Sequence, residues 1–403
     1  MSSKATAAAL SSSEDARINF DEIIPREGSS SLKWERYRGE DILPFWVADM
    51  DFAAAPPIQR AIEERVAHRV FGYTVPPDDL APALIAHLER EFGWRIEPEW
   101  IVWMPGVVTG LAVACRAYAA PGRDMLINTP IYFHFFDAHV EGVQRPPLEV
   151  PLQRVGDRWT FDFDALEARF SDDVDLLLLC SPHNPGGTVF TADELRQVVS
   201  LAARHDAVVL SDEIHAGLVF DRSARHVPTA LAAGEHSGRV VTISSASKAW
   251  NIPGLNCAFA VIEDAALRER WLLASRSIVP GVPPLAYTAT LAAYREGDAW
   301  RQQLLDYLRG NYTLIGDRLA GIEGVRLDPM QATYLAWIDV SALALDDARA
   351  AFEAHGLGFD EGDKFGKPGY IRWNFACPRA RIEEGLQRFE MAVAALSNTG
   401  ASS

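Results

Sequence analysis

Few cysteines, no cluster of basic residues and no long apolar run occur in this 403-residue chain, and each absence excludes a class of protein. The cysteines lie far apart, mostly in apolar stretches, and none belongs to a CxxC or Cys/His pair. They are Cys115, Cys180, Cys257 and Cys377. Such residues behave as small buried hydrophobes, so we expect neither a disulfide framework nor a metal site.

Positive charge is also scarce, with 38 basic against 55 acidic residues and a net charge of −17. Nucleic acids and anionic membranes both require clustered positive charge, so we expect neither as a partner. The longest aliphatic run, residues 176–179, falls far short of the roughly 20 residues that a membrane-spanning helix needs. We therefore expect a cytoplasmic protein with reduced thiols.

The chain is long enough for two or three domains, and 48% hydrophobic with 23% charged residues is typical of a globular protein. Residues 1–16 are small and polar, with an apolar stretch too short for a signal peptide, and are predicted to form a flexible tail. We predict an N-terminal segment at 17–50 that packs with a small domain, a large domain at 51–292, and the small domain itself at 293–403.

Six short segments of the large domain are predicted strands, and helical segments fill the gaps between them. Thr191 with Glu194 forms a capping box that opens one such helix, over 191–205. Strands that are apolar throughout are buried on both faces, which predicts an α/β fold with a mostly parallel sheet between helices. The predicted strands are 100–104, 124–128, 174–180, 207–211, 239–244 and 257–262.

Before these strands, a helix is predicted over 58–68. Its apolar residues Ile58, Ile62, Val66 and Val70 recur every four positions, so we expect them to share one buried face.

The last hundred residues alternate differently and predict a smaller α+β domain. Its predicted strands are 325–327, 334–338 and 370–375, and its predicted helices are 341–355 and 381–396.

Side chains suited to binding follow three of the predicted strands, at the sheet edge where open parallel sheets bind ligands. Strand 100–104 leads through a glycine turn into a helix whose first N–H groups can hold a phosphate. Tyr132, after 124–128, either stacks on a flat ring or is an ordinary core tyrosine. Asn184, after 174–180, either makes a turn or donates its amide to a phenolate oxygen.

Two further strand ends supply charge. Asp212 follows strand 207–211, and a carboxylate at the end of a buried strand is costly unless it is paired. A pyridine nitrogen would be such a partner, which Asp212 would keep protonated. Lys248 follows strand 239–244 among serines; it is either a solvated surface lysine or an amine neutral enough to form an imine with an aldehyde. Together, the five strand ends predict a site for pyridoxal 5'-phosphate (PLP).

Motifs along nearly the whole chain extend this prediction. They are KWERY (33–37), WVADMDF (46–52), FGYT (71–74), PGVV (105–108), PHNP (182–185), DEIH (212–215), SASKAWNIPGL (245–255) and RWNFACPR (372–379). By these motifs the chain resembles the fold-type I PLP enzymes of the class I/II aminotransferase superfamily, and within them the MalY/PatB-type cystathionine β-lyase branch.

The resemblance implies a role for each matching residue around the cofactor ring. Lys248 would be the Schiff-base lysine and Asp212 the partner of the pyridine nitrogen. Asn184 would approach the ring's O3', Tyr132 would stack on the ring, and His215 would lie beside the cofactor.

The resemblance also implies a phosphate site shared between two subunits of a homodimer. The backbone at Val107 and Val108 would bind the phosphate together with Ser245 and Ser247. Tyr73 would reach the same phosphate from the second subunit.

For a small amino-acid substrate, the resemblance assigns the α-carboxylate to Arg372, a bidentate task suited to a guanidinium. Ala48 and Asn184 would also contact the substrate. The ordinary alternative for Arg372 is a surface salt bridge.

The chain departs from the family pattern at several positions. His215 stands where ordinary aminotransferases have tyrosine, and Asn256 where many have a phosphate-binding arginine. Ser181, Thr188 and His134 replace the asparagine, arginine and proline usual in this branch. These changes leave the identity of the substrate open.

The activity implied is α,β-elimination, with Lys248 removing the Cα proton. Cystathionine or another S-substituted cysteine would give pyruvate, ammonia and a thiol. Transamination uses the same residues and stays open as the alternative, and a PLP-binding regulatory protein is a third reading.

Overall fold

The computed structural model describes residues 17–140 and 143–400, without the side chains of 398–400; the predicted tail at 1–16 lies outside this part of the chain. The strands are β1 (Leu43–Pro44), β2 (Ile101–Met104), β3 (Asp124–Thr129), β4 (Leu148–Pro151), β5 (Gln153–Val155), β6 (Arg158–Thr160), β7 (Val174–Cys180), β8 (Val208–Asp212), β9 (Val240–Ser244), β10 (Ala258–Ile262), β11 (Arg326–Leu327), β12 (Leu335–Asp339), β13 (Leu357–Gly358), β14 (Asp360–Glu361) and β15 (Tyr370–Asn374). The helices are α1 (Leu32–Glu35), α2 (Pro56–Ala67), α3 (Leu80–Phe92), α4 (Val107–Tyr118), α5 (Phe163–Arg169), α6 (Ala192–Arg204), α7 (Thr229–Ala233), α8 (Ala265–Ser275), α9 (Pro284–Glu296), α10 (Asp298–Leu319), α11 (Ala348–Glu353) and α12 (Arg379–Gly400).

A seven-stranded sheet in the order β2-β10-β9-β8-β7-β3-β4 forms the centre of the larger part of the molecule. Neighbours from β9 to β4 are parallel, whereas β10 is antiparallel to both β9 and β2. The carboxyl ends of every strand except β10 therefore share one edge. The predicted mostly parallel α/β sheet is confirmed.

The central strands are mostly apolar because each face of the sheet supports its own core. Along β7, Leu177 and Leu179 belong to one hydrophobic cluster, whereas Leu176 and Leu178 belong to the other. Alternate side chains of a strand point to opposite faces, so a strand covered on both sides needs apolar residues at every position.

All six strands predicted for the large domain are present to within two residues, but three other strands were not predicted. Strand β4 occupies the sheet edge, where half-exposed and exposed positions interrupt the apolar pattern. Strands β5 and β6 pair only with each other as a hairpin and contain mostly polar residues. Neither location produces the continuous apolar run that identifies a central strand.

A second sheet, in the order β11-β12-β15-β14, is antiparallel throughout. The helix predicted over 341–355 is wrong in its first half. A short 3-10 turn at Ser341–Leu343 ends at Ala344, whose φ of 49° is left-handed. Helix α11 then starts anew because the side chain of Asp347 accepts a hydrogen bond from the Ala350 amide.

The predicted helix over 58–68 exists as α2 and packs against α9, but its expected buried face is wrong at the carboxyl end. Ile58 is fully buried, whereas Val66 and Val70 are 45% and 61% exposed. A repeat of four residues drifts by about 40° per step from the 3.6-residue turn. Val66 has therefore rotated away from α9, whereas Val70 lies beyond the end of α2 at Ala67.

The N-terminal segment joins the second sheet's side of the molecule, because β1 pairs in parallel with β13. Among the described residues, no helix is long and apolar enough to cross a membrane. The same part of the chain has no cluster of three or more potential metal ligands. All four cysteines are buried free thiols.

Candidate active site

A cavity lies at the carboxyl edge of the seven-stranded sheet and brings together residues from five strand ends and the 46–52 loop. Ten of the residues predicted from the sequence line it: Ala48, Val107, Val108, Tyr132, Asn184, Asp212, His215, Ser245, Ser247 and Lys248. Arg372 adjoins them through its hydrogen bond to Asn184. Tyr73 is the exception, since its side chain is fully exposed to solvent.

Lys248 extends into this cavity from the turn after β9. Its Nζ donates a 2.6 Å hydrogen bond to the carbonyl oxygen of Ala48. Burial within the protein and, to a smaller extent, the nearby Arg372 cation lower the pKa of Lys248 to about 8, although the charges of Asp49 and Asp212 oppose this shift. A substantial fraction of this amine is therefore neutral near physiological pH.

Asp212 ends β8 beneath the same cavity and is 4% exposed. Its Oδ1 accepts a hydrogen bond of 3.0 Å from the Ile214 amide. Burial is the main reason that the pKa of Asp212 is raised to about 7; the charge of Glu213 also raises it, whereas the Ile214 hydrogen bond and Lys248 oppose the shift. Asp212 is thus a buried acid that an additional cationic partner would stabilise in its ionised form.

Arg372 is buried behind Asn184 rather than forming a surface salt bridge, with 2% of its surface exposed. Its Nη1 donates to Asn184 Oδ1 at 3.1 Å, and its Nη2 donates to Asp360 Oδ2 at 2.7 Å and to the Trp46 carbonyl at 3.0 Å. A guanidinium can only donate, so this contact fixes the amide oxygen of Asn184 toward Arg372. The amide nitrogen of Asn184 remains available as a donor.

The amino end of α4 forms another wall. The helix starts at Val107, and the first backbone N–H groups of a helix have no partner within it. Val107 and Val108 line the cavity, so these donors are placed to bind an anion. The Ser245 hydroxyl, by contrast, donates to the Cys257 carbonyl at 2.6 Å and accepts from the Ser247 amide at 3.0 Å.

Two side chains in the cavity are neutral. Burial, together with the cations Lys248 and Arg372, lowers the pKa of His215 to about 3. Its Nδ1 is buried and has no hydrogen-bond partner among the residues that the structure describes. Burial raises the pKa of Tyr132 to about 12, so its phenol remains protonated. An orphaned polar atom in a polar cavity indicates a missing hydrogen-bonding partner.

The 46–52 loop, which supplies Ala48, is held by side chains from several parts of the fold. Asn374 Nδ2 donates to the carbonyl oxygens on both sides of Ala48, at 2.6 Å each. Asn251 Nδ2 donates to the carbonyls of residues 50 and 52 at 3.2 and 2.7 Å. The Tyr334 hydroxyl donates to Ala48 itself at 3.0 Å. The oxygen that accepts Lys248 therefore has a fixed position.

A buried ion cluster anchors the other end of this loop. Asp51 accepts from Lys33 Nζ at 2.9 Å, from Arg26 Nη1 at 2.9 Å and from the Trp34 indole at 3.1 Å. Although burial acts to raise the pKa of Asp51, Lys33 and these other partners hold it below the usual value. Lys33 has no exposed side-chain surface.

Sequence reasoning missed several residues that build the site. Asn251 and Asn374 lie inside motifs that were recognised, yet the motifs alone did not show what their amides bind. Tyr334 adjoins β12 of the second sheet and lies 286 positions along the chain from Ala48. Asp360 lies on β14 and meets Arg372 only because β14 pairs with β15. No local pattern marks such partners, because the contacts exist only after folding.

The family model for aminotransferases of class I and II matches residues 41–389, and the chain belongs to this family. The resemblance predicted from the motifs is thereby confirmed.

Individual relatives narrow the comparison. Cystathionine beta-lyase PatB of Bacillus subtilis (strain 168) is 34% identical over 389 residues, which cover 93% of this chain and 100% of the relative. The crystal structure of OvoB is 44% identical with a TM-score of 0.90, covering 93% of this chain and 99% of the other. The PLP-bound C-S lyase from Staphylococcus hominis is 29% identical with a TM-score of 0.88, covering 94% and 99%.

Proposed function

We propose that this chain is a PLP-dependent C–S β-lyase that cleaves cystathionine or a related S-substituted cysteine into pyruvate, ammonia and a thiol. The observation that carries the proposal is the presence of Lys248 and Asp212 in one buried cavity, with pKa values displaced toward neutrality from opposite sides. The names of the relatives PatB and the Staphylococcus hominis C-S lyase support the same chemistry.

The residues of the cavity fit PLP. Asp212 lacks the cation that a protonated pyridine nitrogen would provide, and the amino end of α4 offers N–H donors to a phosphate. Tyr132 supplies an aromatic face, and the Asn184 amide nitrogen, oriented by Arg372, supplies a donor for the ring oxygen. When bound, PLP provides an electron-accepting ring that stabilises negative charge developing at the substrate's Cα.

The protein's own residues supply binding and proton transfer. Arg372 binds the substrate's α-carboxylate with the donors that Asn184, Asp360 and Trp46 leave free. Lys248 accepts the Cα proton, for which a pKa of about 8 is well matched near neutral pH. His215 and Tyr132 are neutral. Neither of them therefore adds a charge next to Lys248.

Incubating the purified, PLP-loaded protein with cystathionine tests this function. We expect pyruvate and a free thiol to form in equal amounts without any keto-acid acceptor. Lys248→Ala is the matched control and should produce neither. If turnover requires a keto-acid acceptor, the lyase assignment is wrong.

Transamination is the second candidate, because the matching family model is that of aminotransferases. It would use the same Lys248, Asp212 and Arg372. The same assay separates the two activities, since only a transaminase leaves the sulfur bonded to the product's carbon chain. A regulatory protein that merely binds PLP has no need for a complete set of these three residues.

We propose a homodimer with a shared site, and the exposed surface after α2 supports it. Four apolar or aromatic side chains there, Val70, Phe71, Tyr73 and Val75, are at least half exposed, and such a patch indicates an interaction surface. We propose that it packs on a second copy and that Tyr73 reaches the partner's phosphate site. Analytical ultracentrifugation should show a dimer that Tyr73→Asp weakens; an active monomer would contradict this arrangement.

The two sheets support the proposed division into a large domain at 51–292 and a small domain at 293–403, with 17–50 packing against the latter through β1 and β13. We also propose a cytoplasmic location, which fits four buried, unpaired thiols. Fractionation with antibody detection would test the location.

A further inference from the structure

The arginine assigned to the substrate's carboxylate already has a carboxylate partner inside the protein. Arg372 Nη2 lies 2.7 Å from Asp360 Oδ2, and the two side chains are only 2% and 3% exposed. The pair forms across two neighbouring strands, since Asp360 on β14 stands opposite Arg372 on β15. An arriving substrate carboxylate therefore meets a neutral buried pair rather than a free cation.

The guanidinium is also held in one orientation. Three of its five N–H groups donate to Asp360, Trp46 and Asn184, and its Cζ atom lies over the Phe365 ring, 4.5 Å from the ring centroid. Its Nε has no partner within the described part of the chain. Asp360 and the substrate's carboxylate therefore interact with the same cation. The negative charge of Asp360 weakens the attraction of Arg372 for the substrate.

A second cation stands behind Asp360. Lys364 Nζ lies 3.2 Å from Asp360 Oδ1 and 3.6 Å from Glu361, and its side chain is one-third exposed. Lys364 pairs with the other oxygen of the carboxylate, so Asp360 interacts with two cations. Removing Lys364 leaves the negative charge of Asp360 directed at Arg372 alone.

We propose that Asp360 and Lys364 set the strength with which Arg372 binds the substrate's α-carboxylate, Asp360 by weakening and positioning the cation and Lys364 by opposing Asp360. Both are positioning residues that act through Arg372. The proposal rests on the function proposed above, because it takes Arg372 as the carboxylate anchor.

Two stable probes that differ only in a carboxylate test it without catalysis. N-phosphopyridoxyl-L-alanine carries the carboxylate, and N-phosphopyridoxyl-ethylamine lacks it. Their dissociation constants for the PLP-free full chain, measured by calorimetry, give an affinity ratio that isolates the carboxylate. A change that merely perturbs the fold weakens both probes and leaves this ratio unchanged.

The two variants should move the ratio in opposite directions. Asp360→Asn keeps an oxygen acceptor for Arg372 but removes the charge, so the preference for the carboxylate probe should rise by roughly tenfold. Lys364→Met should lower it by about threefold, less because this lysine is partly solvated. In the loaded enzyme, Asp360→Asn should lower KM more than it changes kcat.

Matched controls address charge and folding. Lys367→Met removes a neighbouring lysine that lies over the Trp159 and Tyr370 rings, and Asp173→Asn removes the charge of an exposed Arg–Asp pair; both should leave the ratio unchanged. If Asp360→Asn fails to fold, the opposite shift of Lys364→Met still decides the question. An unchanged ratio in Lys364→Met, or a lower one in a folded Asp360→Asn, overturns the proposal.

The outcomes also separate this inference from the function itself. If the wild type binds neither probe, the PLP assignment fails. If it binds both and prefers the carboxylate probe, but neither variant changes that preference, only the role of Asp360 and Lys364 is wrong.

Discussion

Asp51 and Asp212 are both almost fully buried, yet their surroundings have opposite effects on their charge. Asp51 has two cations and an indole as partners, which hold its pKa below the usual value. Asp212 accepts one backbone hydrogen bond, and burial raises its pKa to about 7. The carboxylate of Asp51 has its charge partners within the chain, whereas the carboxylate of Asp212 would gain a cationic partner only from a bound ligand.

The same contrast applies to the two lysines nearby. Lys33 is enclosed and bonded to Asp51 at 2.9 Å, whereas Lys248 has a carbonyl oxygen as its acceptor. Buried charges that serve the fold are paired. A buried charge that lacks its counterion at a cavity is an indicator of a ligand site.

The largest effect on activity is expected from replacing Lys248, whereas replacing Lys33 should mainly lower stability. Lys248→Ala should abolish the visible absorption of the protein-linked cofactor and lower turnover by roughly 10³-fold or more, because it removes both the attachment point and the base. Lys33→Met should retain the absorption band while lowering stability by about 3 kcal/mol, since Asp51 loses a buried partner. Spectroscopy, steady-state kinetics and urea unfolding measure these changes. Loss of the band in Lys33→Met, with the fold intact, would contradict the contrast.

The two aspartates should divide stability from activity in the same way. Asp212→Asn should lower turnover by roughly 10²-fold, but should not destabilise the cofactor-free protein because it removes an unpaired buried acid. Asp51→Asn should cost about 3–5 kcal/mol of unfolding free energy because it leaves Lys33 underpaired. Denaturant titration of both variants without PLP gives the comparison. A large destabilisation by Asp212→Asn would show that Asp212 has a structural partner.

A pH dependence specific to Asp212 should appear in the cofactor-free protein. The folded state keeps the Asp212 proton up to about pH 7, whereas the unfolded chain releases it near pH 4. Stability should therefore fall as pH rises from about 4 to about 7, by up to about 4 kcal/mol from this group. Lys248, with its lowered pKa, acts in a separate range above about pH 8.

Asp212→Asn should remove that component, so the difference in unfolding free energy between variant and wild type should grow from pH 4 to pH 7. Unfolding in urea at pH 4.5, 5.5 and 7 measures it. A difference that does not vary with pH would mean that Asp212 is already ionised in the folded protein.

The smallest effect concerns a paired side chain outside the cavity. Thr191 accepts from the Glu194 amide and completes the capping box of α6. Thr191→Ala should cost about 1 kcal/mol of stability and leave turnover and cofactor absorption unchanged. Thr191→Ser should restore the stability, because its hydroxyl can make the same bond. A change in turnover would mean that α6 influences the site.

The central sheet and the ligand-binding residues at its carboxyl edge could be predicted because short segments of the sequence indicate both. Strands β7 and β8 are mostly apolar, and the polar residues at or just after their carboxyl ends fall at a shared edge in any parallel sheet. Lys248, Asp212 and Asn184 were thereby predicted to lie together, and the structure places all three around one cavity.

The rest depended on distant contacts. The pairing of Arg372 with Asp360 joins residues in separate strands, and the hydrogen bond from Tyr334 to Ala48 joins residues 286 positions apart. Local periodicity also misled at 341–355, where the left-handed Ala344 interrupts an otherwise helical stretch. Tertiary packing, which no short pattern contains, decided each of these features.

The hydrogen bonds that hold the 46–52 loop have a mechanical consequence. Asn251 follows β9 of the large sheet, whereas Asn374 ends β15 of the second sheet, and both bind the same short loop. Any hinge movement between the two sheets must either stretch one set of these bonds or displace Ala48. The distance from the Ala48 carbonyl to Lys248 Nζ would therefore change with any hinge movement between the two sheets.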